Sequence, residues 1–263
     1  MAKKALCVGI NYKGSGNDLN GCINDANAWA DLLVAHFDFP KPDVKLLLET
    51  QATKVNIIAG LKALLAGAQS GDVLVFQNSS HGTYVVDQGS DEPDRYDEAI
   101  CPYDFKRNLI LDDEMREIFS GLPARVRLTI LLDSCHSGTA TRLVFDPTAG
   151  YRKERFLDPK EFGGVELENP RKAKGAEKLP QSGMKEILLS GCKSTEYSYD
   201  AQIGSTFSGA MTYYALDTIK KANYKITYAD LATKLNAALA AEGYNQHPQL
   251  EGKYTNKKKL VFV

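Results

Sequence analysis

Short apolar runs rich in β-branched residues recur along the chain at 4–10, 44–48, 72–77, 126–132, 186–190 and 258–263, and they predict strands. Between them the apolar positions fall three or four apart. Ile23, Ala26, Ala30, Leu33 and Val34 give residues 22–36 one apolar face, and Val55, Ile58, Leu61, Leu64 and Leu65 do the same for 54–67. Residues 113–120, 207–221 and 227–241 are further predicted helices. Strands alternating with helices imply a mostly parallel sheet covered on both faces through right-handed crossovers. The expected fold is therefore α/β: a three-layer αβα sandwich around a sheet of about six strands.

The alternation breaks at about 146–183. There Pro147, Pro159, Pro170 and Pro180 accompany the basic clusters Tyr151-Arg152-Lys153-Glu154-Arg155 and Arg171-Lys172-Ala173-Lys174. This composition predicts a long exposed basic loop inserted into a single domain spanning 1–263.

Two of the strand patterns end in chemistry. Ile130-Leu131-Leu132 runs into Asp133-Ser134-Cys135-His136-Ser137-Gly138, and Val73-Leu74-Val75-Phe76-Gln77 runs through Asn78-Ser79-Ser80 to His81-Gly82. A free thiol near pKa 8.5 is only a few per cent thiolate at neutral pH and requires a neighbouring base or positive field. In a parallel sheet both residues lie past the carboxyl ends of their strands, along the edge where open α/β folds bind ligands. The pair reads as a Cys/His hydrolase.

Composition narrows the partners. At 263 residues and a formal charge of -1, the chain lacks the basic surplus that binding to nucleic acid or an anionic membrane requires. The five cysteines, Cys7, Cys22, Cys101, Cys135 and Cys192, are odd in number and form no CxxC pair, which favours reduced thiols and a cytoplasmic location. Ala5 to Ile10 is too short for a signal-peptide core or a membrane span.

Three motifs in order, Asn20-Gly21-Cys22-Ile23-Asn24-Asp25-Ala26, Ser79-Ser80-His81-Gly82 and Asp133-Ser134-Cys135-His136-Ser137-Gly138, resemble the metacaspases, especially the prokaryotic relatives in the caspase-like clan of cysteine peptidases. Cys135 follows His81 by 54 residues, similar to the spacing of about 50 in caspases, although the caspase pentapeptide is absent. The resemblance covers most of residues 4–142 and implies a caspase-like sheet, cysteine endopeptidase activity on proteins or peptides, cleavage after Arg or Lys, and a monomer.

By motif position the resemblance makes Cys135 the nucleophile and His81 the general base, with the amides of Gly82 and Cys135 as the oxyanion hole. It assigns Asp25 and Asp133 to the specificity pocket, with Cys22 and Ser79 on its walls. Two carboxylates facing a guanidinium suit Arg better than Lys. It also implies calcium as an activator held by Asp97, Asp112 and Asp113, within and after the acidic run Asp87 to Glu98. Seven residues after the nucleophile, where members with that site often carry another aspartate, this chain has Arg142. Asp112 has a second reading, as a helix N-cap.

Lesser readings stand beside these. His136 is a rival base, but adjacent residues point in different directions, and it is read as structural. A zinc site from Cys135, His136 and His81 is disfavoured by the scarcity of histidines. A catalytically silent caspase-like scaffold that binds peptides or partner proteins is the alternative function. Lys153, Arg155 and Lys174 are candidate self-cleavage sites in the basic loop.

Overall fold

The computed structural model describes residues 1–86, 96–135, 150–162 and 184–263. Its elements open with β1 (Lys3–Gly9), α1 (Cys22–His36), β2 (Val44–Leu48), α2 (Lys54–Leu65) and β3 (Val73–Ser79). Then come β4 (Gly82–Val86), β5 (Tyr96–Ile100), β6 (Ile110–Leu111), α3 (Asp112–Ser120), β7 (Arg127–Asp133) and β8 (Arg152–Glu154). The chain closes with β9 (Ile187–Ser190), β10 (Tyr199–Ile203), β11 (Thr206–Gly209), α4 (Ala210–Lys221), α5 (Tyr228–Ala241), β12 (Gln249–Glu251) and α6 (Tyr254–Lys257).

The central sheet has the order β12-β9-β7-β3-β1-β2, parallel throughout except for β12. Side chains alternate across it. Ala5 and Cys7 of β1, Val73 and Val75 of β3 and Leu131 of β7 pack with Trp29, Leu33, Met211, Ile219 and Leu235 from α1, α4 and α5. Leu6, Val8, Leu74, Phe76, Leu128 and Ile130 face the other way, onto Ile57, Leu61, Met115 and Phe119 from α2 and α3. The result is the αβα sandwich, with both faces of the sheet buried.

Residues 258–263 do not form the sixth strand that their apolar character predicts. Phe262 takes φ 56, outside the strand region, and its ring packs edge-on against Trp29, Phe37 and Tyr228. The sixth place goes to β12, antiparallel to β9. Two small three-stranded sheets, β4-β5-β6 and β11-β10-β8, complete the fold. The second corrects the sequence reading most sharply: residues 150–162, assigned there to an exposed loop, include strand β8 and the fully buried Arg155. The rest of the predicted loop, 146–149 and 163–183 with Lys174, lies outside the described residues, as do His136 and Arg142.

Candidate active site

Ser79 of β3 lies opposite Asp133 of β7 in the parallel register, and His81 and Cys135 each follow by two residues. Both therefore leave the same edge of the sheet from neighbouring strands, and both are buried. His81 Nε2 is 2.8 Å from the carbonyl oxygen of Asn17, which makes it the donor and leaves Nδ1 as the bare nitrogen. Among the described residues Nδ1 is buried with no hydrogen-bond partner. Burial pushes the imidazole down to about 3, with the Asn17 carbonyl acting in the opposite direction, so the ring is neutral at physiological pH. The Cys135 thiol donates to the carbonyl of Ser198 at 3.3 Å, and its sulfur accepts from the Ser198 amide. The thiol is thus turned toward β10 and is hydrogen-bonded to Ser198, not to His81.

Arg155 fills the space between these groups and the neighbouring carboxylates. Its carbonyl oxygen accepts from Gly82 N–H at 3.0 Å and Cys135 N–H at 3.1 Å, the two amides assigned to the oxyanion hole. Its own N–H donates to Ser198 at 2.9 Å, continuing the antiparallel pairing of β8 with β10. Beyond it, Leu157 N–H donates to Gly82 at 2.9 Å. The peptide bond after Arg155 is therefore held from both sides, just past the end of β8.

The Arg155 side chain enters a buried acidic chamber. Nη2 is 2.7 Å from Asp25 and 3.1 Å from Asp200, and Nη1 is 3.3 Å from Asp133. Each carboxylate has its own supports. Asp25 accepts from Ser208 Oγ at 2.6 Å and Gly209 N–H at 3.0 Å, Asp133 from Thr212 N–H, Thr212 Oγ1 and Ser198 Oγ, and Asp200 from the amides of Asn20 and Gly21. Burial opposes the charge on Arg155, but the surrounding Asp25, Asp133 and Asp200 hold it charged above its ordinary range. Burial raises Asp25 above the usual carboxylate range, and the guanidinium opposes that rise.

Of the two proposed wall residues, Cys22 lies within electrostatic reach of Arg155, its thiol pushed up by burial. The Ser79 hydroxyl instead accepts from Gln77 Nε2 at 2.9 Å. Sequence reading missed Asp200, Ser208, Gly209 and Thr212, all on β10, β11 and the start of α4. Gly209 is a wall where only hydrogen fits: a Cβ there would lie 2.1 Å from Asp133 Oδ2 and 2.5 Å from Arg155 Nη1.

Residues 3–144 match the family model described as metacaspase, peptidase C14 domain. The chain belongs to the metacaspase family. A metacaspase-1 from Cryptococcus neoformans is 34% identical over 99% of this chain, and a metacaspase-1A from Aspergillus fumigatus is 35% identical over the same share. This chain spans 64% of the length of the first relative and 71% of the second. The crystal structure of a Geobacter sulfurreducens protein aligns over 100% of this chain and 99% of its own, with a TM-score of 0.74 and 25% identity.

The calcium ligands implied by metacaspase resemblance sit apart from this chamber, on β5 and the first turn of α3. Arg116 pairs with Asp112 at 2.8 Å and also with Asp113. Asp112 is the first residue of its helix and not the cap, which is Leu111. Burial and the carboxylates of Glu98, Asp113 and Asp97 push Asp112 up to about 6, against the pull of Arg116. Among the described residues no group of three or more His, Cys, Asp or Glu is arranged to hold a metal ion. Arg116 occupies one oxygen each of Asp112 and Asp113, while Asp112 Oδ1 is buried with no hydrogen-bond partner among the described residues. Residues 87–95 of the acidic run lie outside the described residues.

Proposed function

We propose that this chain is a cysteine endopeptidase that hydrolyses peptide bonds after arginine, and less readily after lysine, using Cys135 and His81. The observation that carries this reading is the pose of Arg155: guanidinium among three carboxylates, carbonyl oxygen on the amides of Gly82 and Cys135. A substrate arginine takes the same place. For reaction the thiol leaves Ser198 and passes its proton to the bare Nδ1 of His81. The thiolate then attacks the carbonyl carbon, and the electron pair moves onto oxygen, where the two amides stabilise it. Collapse breaks the C–N bond, and the departing amine takes the proton from His81. Water, deprotonated by His81, hydrolyses the thioester and restores the thiol.

Arginine is favoured over lysine because the planar guanidinium spreads its donors over Asp25, Asp133 and Asp200 at once, whereas an ammonium is a single compact charge. On this reading the bond between Arg155 and Phe156 is itself a substrate of the site. The test is hydrolysis of fluorogenic peptides ending in Arg, Lys or Asp, with Cys135→Ala as control, alongside sequencing of any new N-terminus in the incubated protein. Turnover of Arg above Lys, lost in the variant, with a new terminus at Phe156, supports the proposal. A preference for Asp, or equal activity in the variant, overturns it. Binding of the Arg peptide without turnover would mark a silent scaffold.

A further inference from the structure

Strand β8 reaches the site along the side of β10 opposite β11, pairing Glu154 with Tyr199, Lys153 with Asp200 and Arg152 with Ala201. An exposed sheet edge is a general means of holding an extended peptide, with main-chain bonds supplying affinity and alternate side chains supplying specificity. Arg155 and Lys153 point to one side of the strand, where Lys153 Nζ meets the Asp18 carbonyl at 2.7 Å. Arg152 is engaged elsewhere. Its guanidinium lies 3.8 Å from the centre of the Tyr244 ring and donates to the carbonyls of Gly243 at 2.9 Å and Glu242 at 3.0 Å. These carbonyls follow the last turn of α5, the negative end of the helix, where a cation is stabilised. An aromatic face combined with two outward carbonyls is a receptor for a planar cation.

Resting on the cleavage proposed above, we infer that the β10 edge docks the substrate strand and that Tyr244 with the Glu242 and Gly243 carbonyls forms a second arginine subsite. It lies three residues before the scissile arginine, so the preferred substrates carry the pattern Arg-x-x-Arg. Lysine at the outer position is a poorer fit, since it cannot both stack on the ring and donate to two separate carbonyls.

The test compares Arg-Lys-Glu-Arg with Ala-Lys-Glu-Arg, each ending in a fluorogenic amide, on the wild type and on Arg155→Gln, in which the resident side chain holds the chamber less firmly. Both peptides compete with the same resident strand, so that competition cancels in the ratio of kcat/KM. The first peptide is expected to be preferred about fivefold or more, and Tyr244→Ala to bring the ratio toward one. Equal kcat/KM for the two overturns the subsite. If neither peptide is hydrolysed, the endopeptidase proposal fails. The subsite is then decided by the anisotropy of labelled Arg-Lys-Glu-Arg and Ala-Lys-Glu-Arg on the Cys135→Ala protein. Tighter binding of the first supports it, and equal or undetectable binding of both overturns it.

Discussion

Two clusters in this molecule each gather acidic side chains around one arginine. In the chamber, Asp25, Asp133 and Asp200 surround Arg155, whose side chain is 0% exposed. At the start of α3, Asp112 and Asp113 hold Arg116, whose side chain is 42% exposed, with Asp97 and Glu98 within electrostatic reach of Asp112. The formal charges are similar, but the surroundings are not. Exposed pairs are screened and contribute about 0–1 kcal/mol, while a buried charge left without its partner costs about 3–5 kcal/mol. Every chamber carboxylate also accepts hydrogen bonds from serine, threonine or backbone N–H groups that fix its direction. Burial converts an ion-pair cluster into a receptor for a cation: the chain supplies that cation in Arg155, and on the function proposed above a substrate arginine takes its place.

The largest contrast should come from removing each arginine. Arg155→Ala leaves three buried carboxylates without a counterion and is expected to lower unfolding free energy at neutral pH by about 3–5 kcal/mol. Arg116→Ala should cost no more than about 1 kcal/mol. The pH dependence of the first variant has a definite sign. Unpaired buried carboxylates titrate higher in the folded state than in the unfolded one, so the folded protein binds more protons, and the deficit should shrink as pH falls toward 4. Urea unfolding of both variants at several pH values measures this. Equal losses at the two arginines would mean that the chamber is no more shielded from water than the surface cluster.

A smaller effect separates a chamber that selects substrate from one that merely holds the fold together. Gly209 has φ -64, a backbone conformation open to any residue, so Gly209→Ala acts only through the space its methyl group takes. That space is occupied by Asp133 Oδ2 and the Arg155 guanidinium. Because the broad guanidinium needs more room than the slim end of a lysine, kcat/KM for the Arg peptide is expected to fall about tenfold further than for the Lys peptide. An unchanged Arg-to-Lys ratio would place substrate arginine somewhere other than beside Gly209.

The chamber was half legible in the sequence. β1, β3 and β7 are buried on both faces and read as continuous apolar runs, so the ends carrying His81 and Cys135 could be located from pattern alone. Helix α1 kept its period, whereas α2 buries Ile57, Leu61 and Leu64 and leaves the predicted Val55 exposed; Thr53 supplies the side-chain cap that starts α2. The short strands β8, β10, β11 and β12 had no such signature, because a stretch of only three to five residues of mixed character looks like loop. Arg155 was misplaced for a related reason: a basic cluster signals solvent unless enough carboxylate is gathered to receive it. Its receivers come from positions 25, 133 and 200, and no local window contains them. The run at 258–263 failed differently, since local composition suited a strand but the positive φ of Phe262 turns its ring into the core.

The smallest effect expected lies in the exposed cluster, and it tests the comparison from the other side. With Asp112 raised to about 6 from its ordinary value near 4, the folded protein binds a proton between those values that the unfolded chain does not. The stabilisation from this proton is present below pH 4 and is lost as pH rises through 6, the reverse of the usual carboxylate pattern. Because the side chain is partly exposed, solvent screening should keep the effect below about 1 kcal/mol. Asp112→Asn should therefore flatten the slope of stability between pH 4 and 6 while leaving kcat/KM within about twofold of the wild type. The same variant reads calcium: with Arg116 holding the carboxylates, adding the ion should move Tm alike in wild type and variant. A calcium-dependent rise in Tm lost in Asp112→Asn would instead show that the ion displaces Arg116, making the surface cluster a receptor as well.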